Sequence, residues 1–223
     1  MLTSQTPIHT QLQPLFRSRK NLYQLLQLLF SEQLLGDPLI GLKRNEEIQV
    51  LLAEMNEGGR ILHRFFERLS VEQISKEREE YRFLFVGPGP LAAPPWESFY
   101  RSREQLLFET CTYKVRKQYH QFGLQFVKEN NEPDDHLLIE LEFMTNLCDQ
   151  LLQEKEVGGI SILIESQIYF LKNHLTKWIP LFCMRLIEHT NSQLYLGSAL
   201  LLEEFILFDL QSLIEVKEAL INV

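Results

Sequence analysis

Apolar residues return along this chain at intervals of three, four and seven, and almost nowhere alternate one by one. Between Leu12 and Leu35 the positions Leu15, Leu22, Leu25, Leu26 and Leu29 keep this spacing, which puts them on one face of a helix. Gly36-Asp37-Pro38 then stops it, because proline cannot continue the hydrogen-bond ladder. The same reading predicts helices over about Asn45–Glu57, ended by Gly58-Gly59, over Ile61–Leu69, and over Val71–Val86 with Tyr81, Leu84 and Phe85 on one face. Further helices are predicted near Ser102–Phe108, Thr112–Phe122, Asp134–Glu154, Ser161–Thr176 and Trp178–His189, with Gly158-Gly159 as another break. The last, about Ser192–Leu220, carries two apolar stripes, Leu201/Phe205/Phe208 and Leu202/Ile206/Leu213, as a deeply buried helix does. The pattern predicts an all-α fold: a single-domain helical bundle over residues 1–223.

One stretch breaks the pattern. In GPGPLAAPPW, residues 87–96, Gly87, Pro88, Gly89, Pro90 and Pro94 exclude helix and central strand. It divides the chain into two helical halves, as a hinge or as a surface loop with a task.

Composition narrows the classes. With 22 basic and 30 acidic residues the net charge is −8 and the pI near 5.3, which argues against nucleic-acid binding and favours a basic partner. Cys111, Cys148 and Cys183 are odd in number and widely spaced, so neither a disulfide framework nor a thiolate zinc site is expected. No signal-peptide pattern opens the chain, and the longest apolar run is interrupted by Glu203, Glu204 and Asp209. A cytoplasmic location without stable membrane insertion is expected.

Enzyme signatures are absent: there is no P-loop, HExxH, GxSxG or EF-hand pattern, and the six histidines show no metal-ligand spacing. No catalytic residue, metal or cofactor is expected. Two clusters remain. The first is Tyr81-x-x-Leu84-Phe85 with Pro94-Pro95-Trp96-x-Ser98-x-Tyr100, apolar and aromatic groups on both sides of a proline-stiffened turn. Such a loop loses little entropy on binding, and it serves equally well if it simply packs on the core. The second is Glu132-Pro133-Asp134-Asp135-His136, where Asp134 suits a helix N-cap. Beyond it Leu137, Leu141, Met144 and Cys148 form an apolar face, with His136, Glu140, Phe143 and Leu147 on its flank and Asp135, Glu142 and Asp149 on the polar side. This row reads either as a plain solvated face or as a receptor for a peptide carrying Arg and Leu. A Ser98 or Cys111 nucleophile served by His136 is disfavoured, since Asp135 and His136 start about 100° apart on a helix and cannot brace each other.

At these clusters the chain resembles the TorD/DmsD family of redox-enzyme maturation chaperones, and within it the DmsD-like branch. The resemblance rests on Leu84-Phe85-Val86-Gly87-Pro88, Pro94-Pro95-Trp96-x-Ser98, Arg103-Glu104-x-x-Leu107-Phe108, Gly123-Leu124-Gln125-Phe126 and Asn131-Glu132-Pro133-x-Asp135-His136, with His174-Leu175-x-x-Trp178 as a further element. It implies an all-helical fold without catalysis that binds the twin-arginine leader of a molybdenum-cofactor oxidoreductase precursor and holds it for cofactor insertion before export. The leader-binding positions implied are Leu84, Phe85, Pro95, Trp96, Asp135 and His136, with Tyr81 and Ser98 beside them. Asp135 is the expected receptor for the arginines, Glu132 and Glu142 being weaker candidates. Tyr81 stands where the branch has Trp, Gly89 where it often has Trp, and Glu109 where a Gly follows Leu-Phe. A homodimer is left open. The alternatives are a helical assembly subunit that docks on the folded oxidoreductase, and a nucleotide-binding protein or hydrolase, for which no phosphate motif speaks.

Overall fold

The computed structural model describes residues 8–104, 106–108, 110–129 and 132–221; Asn131 and Glu109 lie outside the described residues. Its helices are α1 (Ile8–Leu29), α2 (Asp37–Arg44), α3 (Glu46–Glu54), α4 (Glu57–Arg68), α5 (Val71–Tyr81), α6 (Glu97–Arg101), α7 (Thr110–Gln121), α8 (Leu137–Gln153), α9 (Val157–Phe170), α10 (Thr176–His189) and α11 (Gln193–Ile221). A 3-10 turn, Glu32–Leu34, follows α1, and π-helical turns extend α5 through Val86 and join α9 to α10. The fold is a single all-helical domain.

The long α11 is its axis. Leu194, Tyr195, Leu201, Leu202, Phe205, Ile206 and Leu213 are buried on more than one face, because α4, α10, α9 and α1 all pack on it. Phe208, read as part of a stripe, is 66% exposed and lies outside that packing. A second layer forms where α1 lies on α8. Both α1–α8 and α4–α11 join elements from opposite sides of the 87–96 segment, so the two sequence halves interlock in space. A buried network adds specificity to this seam: Arg19 Nε donates to Asp209 Oδ1 at 2.5 Å, its Nη2 donates to Asp209 and to Gln167, and Tyr23 Oη donates to Asp209.

Several predicted boundaries move. Gly58 and Gly59 do not end a helix; they lie in the first turn of α4. Gly58 is there because α11 comes so close that a Cβ would stand 2.5 Å from the Leu201 nitrogen and 2.7 Å from the Gly197 oxygen. Gly158 and Gly159 likewise sit inside α9. The helix expected over Ser102–Phe108 is absent from its described residues, and α6 forms just before it, with an N-terminus closed by a side chain from a distant segment. The N-cap of α8 is His136 rather than Asp134, whose carboxylate is engaged elsewhere.

Candidate functional site

The site is assembled where α5, the 87–96 loop and the start of α8 meet. Helix α5 has few apolar residues and is fastened by its acids. Glu77 accepts from Ser192 Oγ at 2.5 Å, and Glu80 accepts from Thr190 Oγ1 and the Asn191 N–H. This positions Tyr81 and the π-helical turn after it, which aims both Leu84 and Phe85 inward. Leu84 is wholly buried and serves the core. Phe85 packs edge-on against Tyr81 at 5.2 Å and Tyr195 at 5.6 Å, and near Phe30 and Phe182.

The loop has two unlike parts. Pro88, Gly89 and Pro90 are exposed, whereas Ala92 to Pro95 are buried. The Ala93 N–H donates to the Leu84 carbonyl at 3.0 Å, and Arg185 Nε donates to the Ala92 carbonyl at 2.6 Å. The loop end is then stitched to the start of α8. The Leu137 N–H donates to the Pro95 carbonyl and the Glu97 N–H to the Asp135 carbonyl, each at 2.9 Å, so Trp96 and His136 face each other as an antiparallel bridge. Their rings meet edge to face at 5.3 Å.

Tyr81, Phe85, Pro95 and His136, with Phe30, Leu137 and Leu138, line one narrow furrow of about 30 Å³. Trp96, half-buried, stands against its His136 wall. His136 Nδ1 accepts the Leu138 N–H at 3.1 Å, so the neutral ring carries its proton on Nε2 and is a donor there. Burial pushes its pKa down to about 4, against an opposing pull from the Glu132 charge.

Ser98 and Asp135 lie behind this furrow rather than in it. Asp135 is buried, with Oδ2 accepting the Ser98 N–H at 2.6 Å and Oδ1 accepting the Thr112 hydroxyl at 2.9 Å. Burial raises its pKa, against the hydrogen bonds that lower it. Oδ2 closes the N-terminus of α6 and Oδ1 holds α7, so both oxygens are occupied. Neighbouring Asp134 takes a two-pronged contact from Arg116, with Nε and Nη2 each donating at 2.8 Å. Glu132 is exposed and pairs with Lys128 at 2.7 Å. Glu142 is exposed and borders a separate groove of about 190 Å³ with Phe126 and Ile139. No relay joins Ser98, Cys111, Asp135 and His136: the His136 nitrogen serves the helix start, and burial pushes the Cys111 thiol up to about 12, helped by the Asp135 and Glu97 charges.

Residue patterns did not disclose a buried acid cluster beneath α6. Glu97 is fully buried, accepts from Arg101 and lies 2.9 Å from His174 Nδ1. Glu140 Oε2 accepts the Trp178 indole N–H at 2.9 Å. Burial first, then the Glu97 charge, hold the Glu140 pKa well above the carboxylate range. If both groups were ionised, Oε1 of Glu140 would be a buried orphan; as a neutral acid, Glu140 donates to Glu97. The His174-x-x-x-Trp178 element was the visible trace of this cluster.

Residues 49–184 match the family model described as the nitrate reductase delta subunit. The chain is 31% identical over 126 residues to the chaperone protein TorD of Photobacterium profundum, covering 56% of this chain and 58% of that one. It is 30% identical over 125 residues to the Tat proofreading chaperone DmsD of Salmonella typhi, covering 52% of each. The matched region spans between half and three-fifths of these relatives, and the similar identities do not separate the DmsD branch from the TorD branch. A chain described as a redox enzyme maturation protein from Archaeoglobus fulgidus has the same fold, with a TM-score of 0.51 at 22% identity over 84% of this chain and 93% of that one.

Proposed function

The chain belongs to the nitrate reductase delta subunit family, whose TorD and DmsD members are chaperones and not enzymes, and from that premise we propose that it is a cytoplasmic chaperone binding the twin-arginine leader of a molybdenum-cofactor oxidoreductase precursor. One observation carries the reading. Tyr81, Phe85, Pro95 and His136 come from three separate segments and line one furrow. Among the described residues no helix is long and apolar enough to cross a membrane, which suits a leader-holding role in the cytoplasm. The furrow is narrow, so in this reading its own walls part to admit an apolar leader side chain. His136 Nε2–H then donates to the leader backbone.

Asp135 supports this site without receiving an arginine, because both its oxygens already hold donors. A guanidinium fork needs an open carboxylate. Glu132 is exposed, its charge is felt at His136, and its Lys128 partner is a surface contact worth about 1 kcal/mol or less. Glu132 is therefore the first arginine acceptor in this reading and Glu142 the second.

The test is calorimetric titration with a leader peptide of the dimethyl-sulfoxide-reductase type, beside a copy with both arginines changed to lysine. Binding at micromolar Kd or tighter is expected, weakened in the lysine copy and in Trp96→Ala and Glu132→Gln variants. Failure of the folded protein to bind either peptide would sink the reading.

A further inference from the structure

A depression of about 670 Å³ lies away from the leader furrow, between α6, α7 and α9. Its walls carry Arg101, Lys114 and Lys117, and the same cations Arg101 and Lys114 continue into a second depression of about 430 Å³ that adds Arg103. The charge is unusual for a chain of net charge −8. Among the described residues no carboxylate pairs with Lys114 or Lys117, and Glu165, on the opposite wall, is held at 2.8 Å by Lys217. Arg101 is neutralised by Glu97 and Glu104 lies beside Arg103, so Lys114 and Lys117 are the open cations of this wall.

A second feature points to a ligand. His174 lines the same depression, and its side chain is 1% exposed. Its Nδ1 faces the Glu97 carboxylate at 2.9 Å and so carries the proton. That leaves Nε2 as a buried acceptor with no hydrogen-bond partner. Buried polar atoms are rarely left in that state.

We propose that this depression binds an extended acidic peptide segment of a partner protein. Lys114 and Lys117 stand one turn apart on α7 and take its carboxylates. Gln118 and Gln121 follow on the same helix and suit peptide amides, and the stretch from Lys114 to Gln121 is about 10 Å long, three extended residues of a ligand. A backbone N–H supplies the donor that His174 Nε2 lacks. Lysines and amides spread over about 10 Å of one helix suit an extended chain better than a single compact phosphate. Ile162 and Tyr169, 62% and 47% exposed, add apolar contact at the edge.

The experiment is fluorescence anisotropy of labelled hexaglutamate against the full chain at low and moderate salt, with hexalysine and inorganic phosphate as comparators. Saturable hexaglutamate binding is expected, weakening with salt. It should fall at least tenfold in a Lys114→Glu/Lys117→Glu variant, fall less in the milder Lys114→Gln/Lys117→Gln variant, and stay unchanged in Trp96→Ala, which touches only the leader site. Both lysines are exposed, and an unchanged circular-dichroism spectrum verifies the fold. Equal binding by the charge-reversed variant, no binding to the wild type, or displacement by phosphate at the same charge concentration overturns the proposal.

Discussion

The Ser98 N–H and the Asp135 carboxylate meet at 2.6 Å, both in residues that solvent does not reach. A helix start normally finds its acceptor within three residues. Here α6 finds it on a segment that directly precedes α8, and the same carboxylate holds the Thr112 hydroxyl of α7. Asp135 therefore ties α6, α7 and α8 together just behind Trp96 and His136.

Removing that carboxylate should affect stability more than recognition. Asp135→Ala leaves the Ser98 N–H and the Thr112 hydroxyl without their acceptor and should cost about 2–4 kcal/mol. Asp135→Asn keeps one acceptor, can donate to Thr112 and sheds a buried charge, so it should stay within about 1 kcal/mol of wild type. Urea denaturation measures both. An Ala variant as stable as wild type would show that the cap is dispensable.

Glu140 makes the fold prefer an extra proton. Its folded pKa is raised, so its contribution is fully present below the unfolded value near 4.3 and is lost as pH rises through the folded value. Asp135 is shifted the same way. Glu140→Gln retains an acceptor for Trp178 and a permanent donor for Glu97. Its stability relative to wild type should therefore improve from pH 6 to pH 9, as followed by denaturant midpoints. A variant-minus-wild-type stability difference that stays flat or falls over this range would contradict a neutral Glu140.

His136 works in the opposite direction. Its folded pKa, about 4, lies below the unfolded value near 6.5. The neutral ring's contribution is present above pH 6.5 and is lost as pH falls through about 4. His136→Asn keeps a cap for α8 without the titration, so it should lose less stability than wild type between pH 7 and pH 4. Parallel melting-temperature profiles for the two proteins would refute the assignment.

The crossing of α4 and α11 has no room for a methyl group. Gly58→Ala places a Cβ against the backbone of Leu201 and Gly197, neither of which is a flexible side-chain tip. Overpacking of this kind costs about 1–3 kcal/mol. Thermal unfolding should show the drop, whereas Gly158→Ala, with nothing within 4 Å of its Cβ, should leave the melting temperature near wild type.

How far the sequence could be read depended on how local the cause was. Helices appeared wherever a face repeated, as in α1, α8 and α11, because their own side chains decide which stripe is apolar. The glycine pairs misled, because glycine serves both to end a helix and to admit a neighbouring one, and only the position of α11 distinguishes these at Gly58. The Ser102–Phe108 prediction failed for a similar reason: α6 is started by Asp135, a residue far away in the chain. Four of the leader positions drawn from the family resemblance do converge on one furrow, but Leu84 is core and Asp135 is a buried strut.

By itself, then, the order of residues determined the helical class, the buried axis at the C-terminal end, the break at 87–96 and the two clusters worth attention. Those properties follow from periodicity and backbone chemistry, which act over a few residues. Tertiary structure alone decided which carboxylates are open and which are spent: Glu132 and Glu142 are exposed, Asp135 caps α6, and Glu140 is kept neutral against Glu97. Charge and burial at a carboxylate depend on groups brought from elsewhere in the chain, and no local pattern records them.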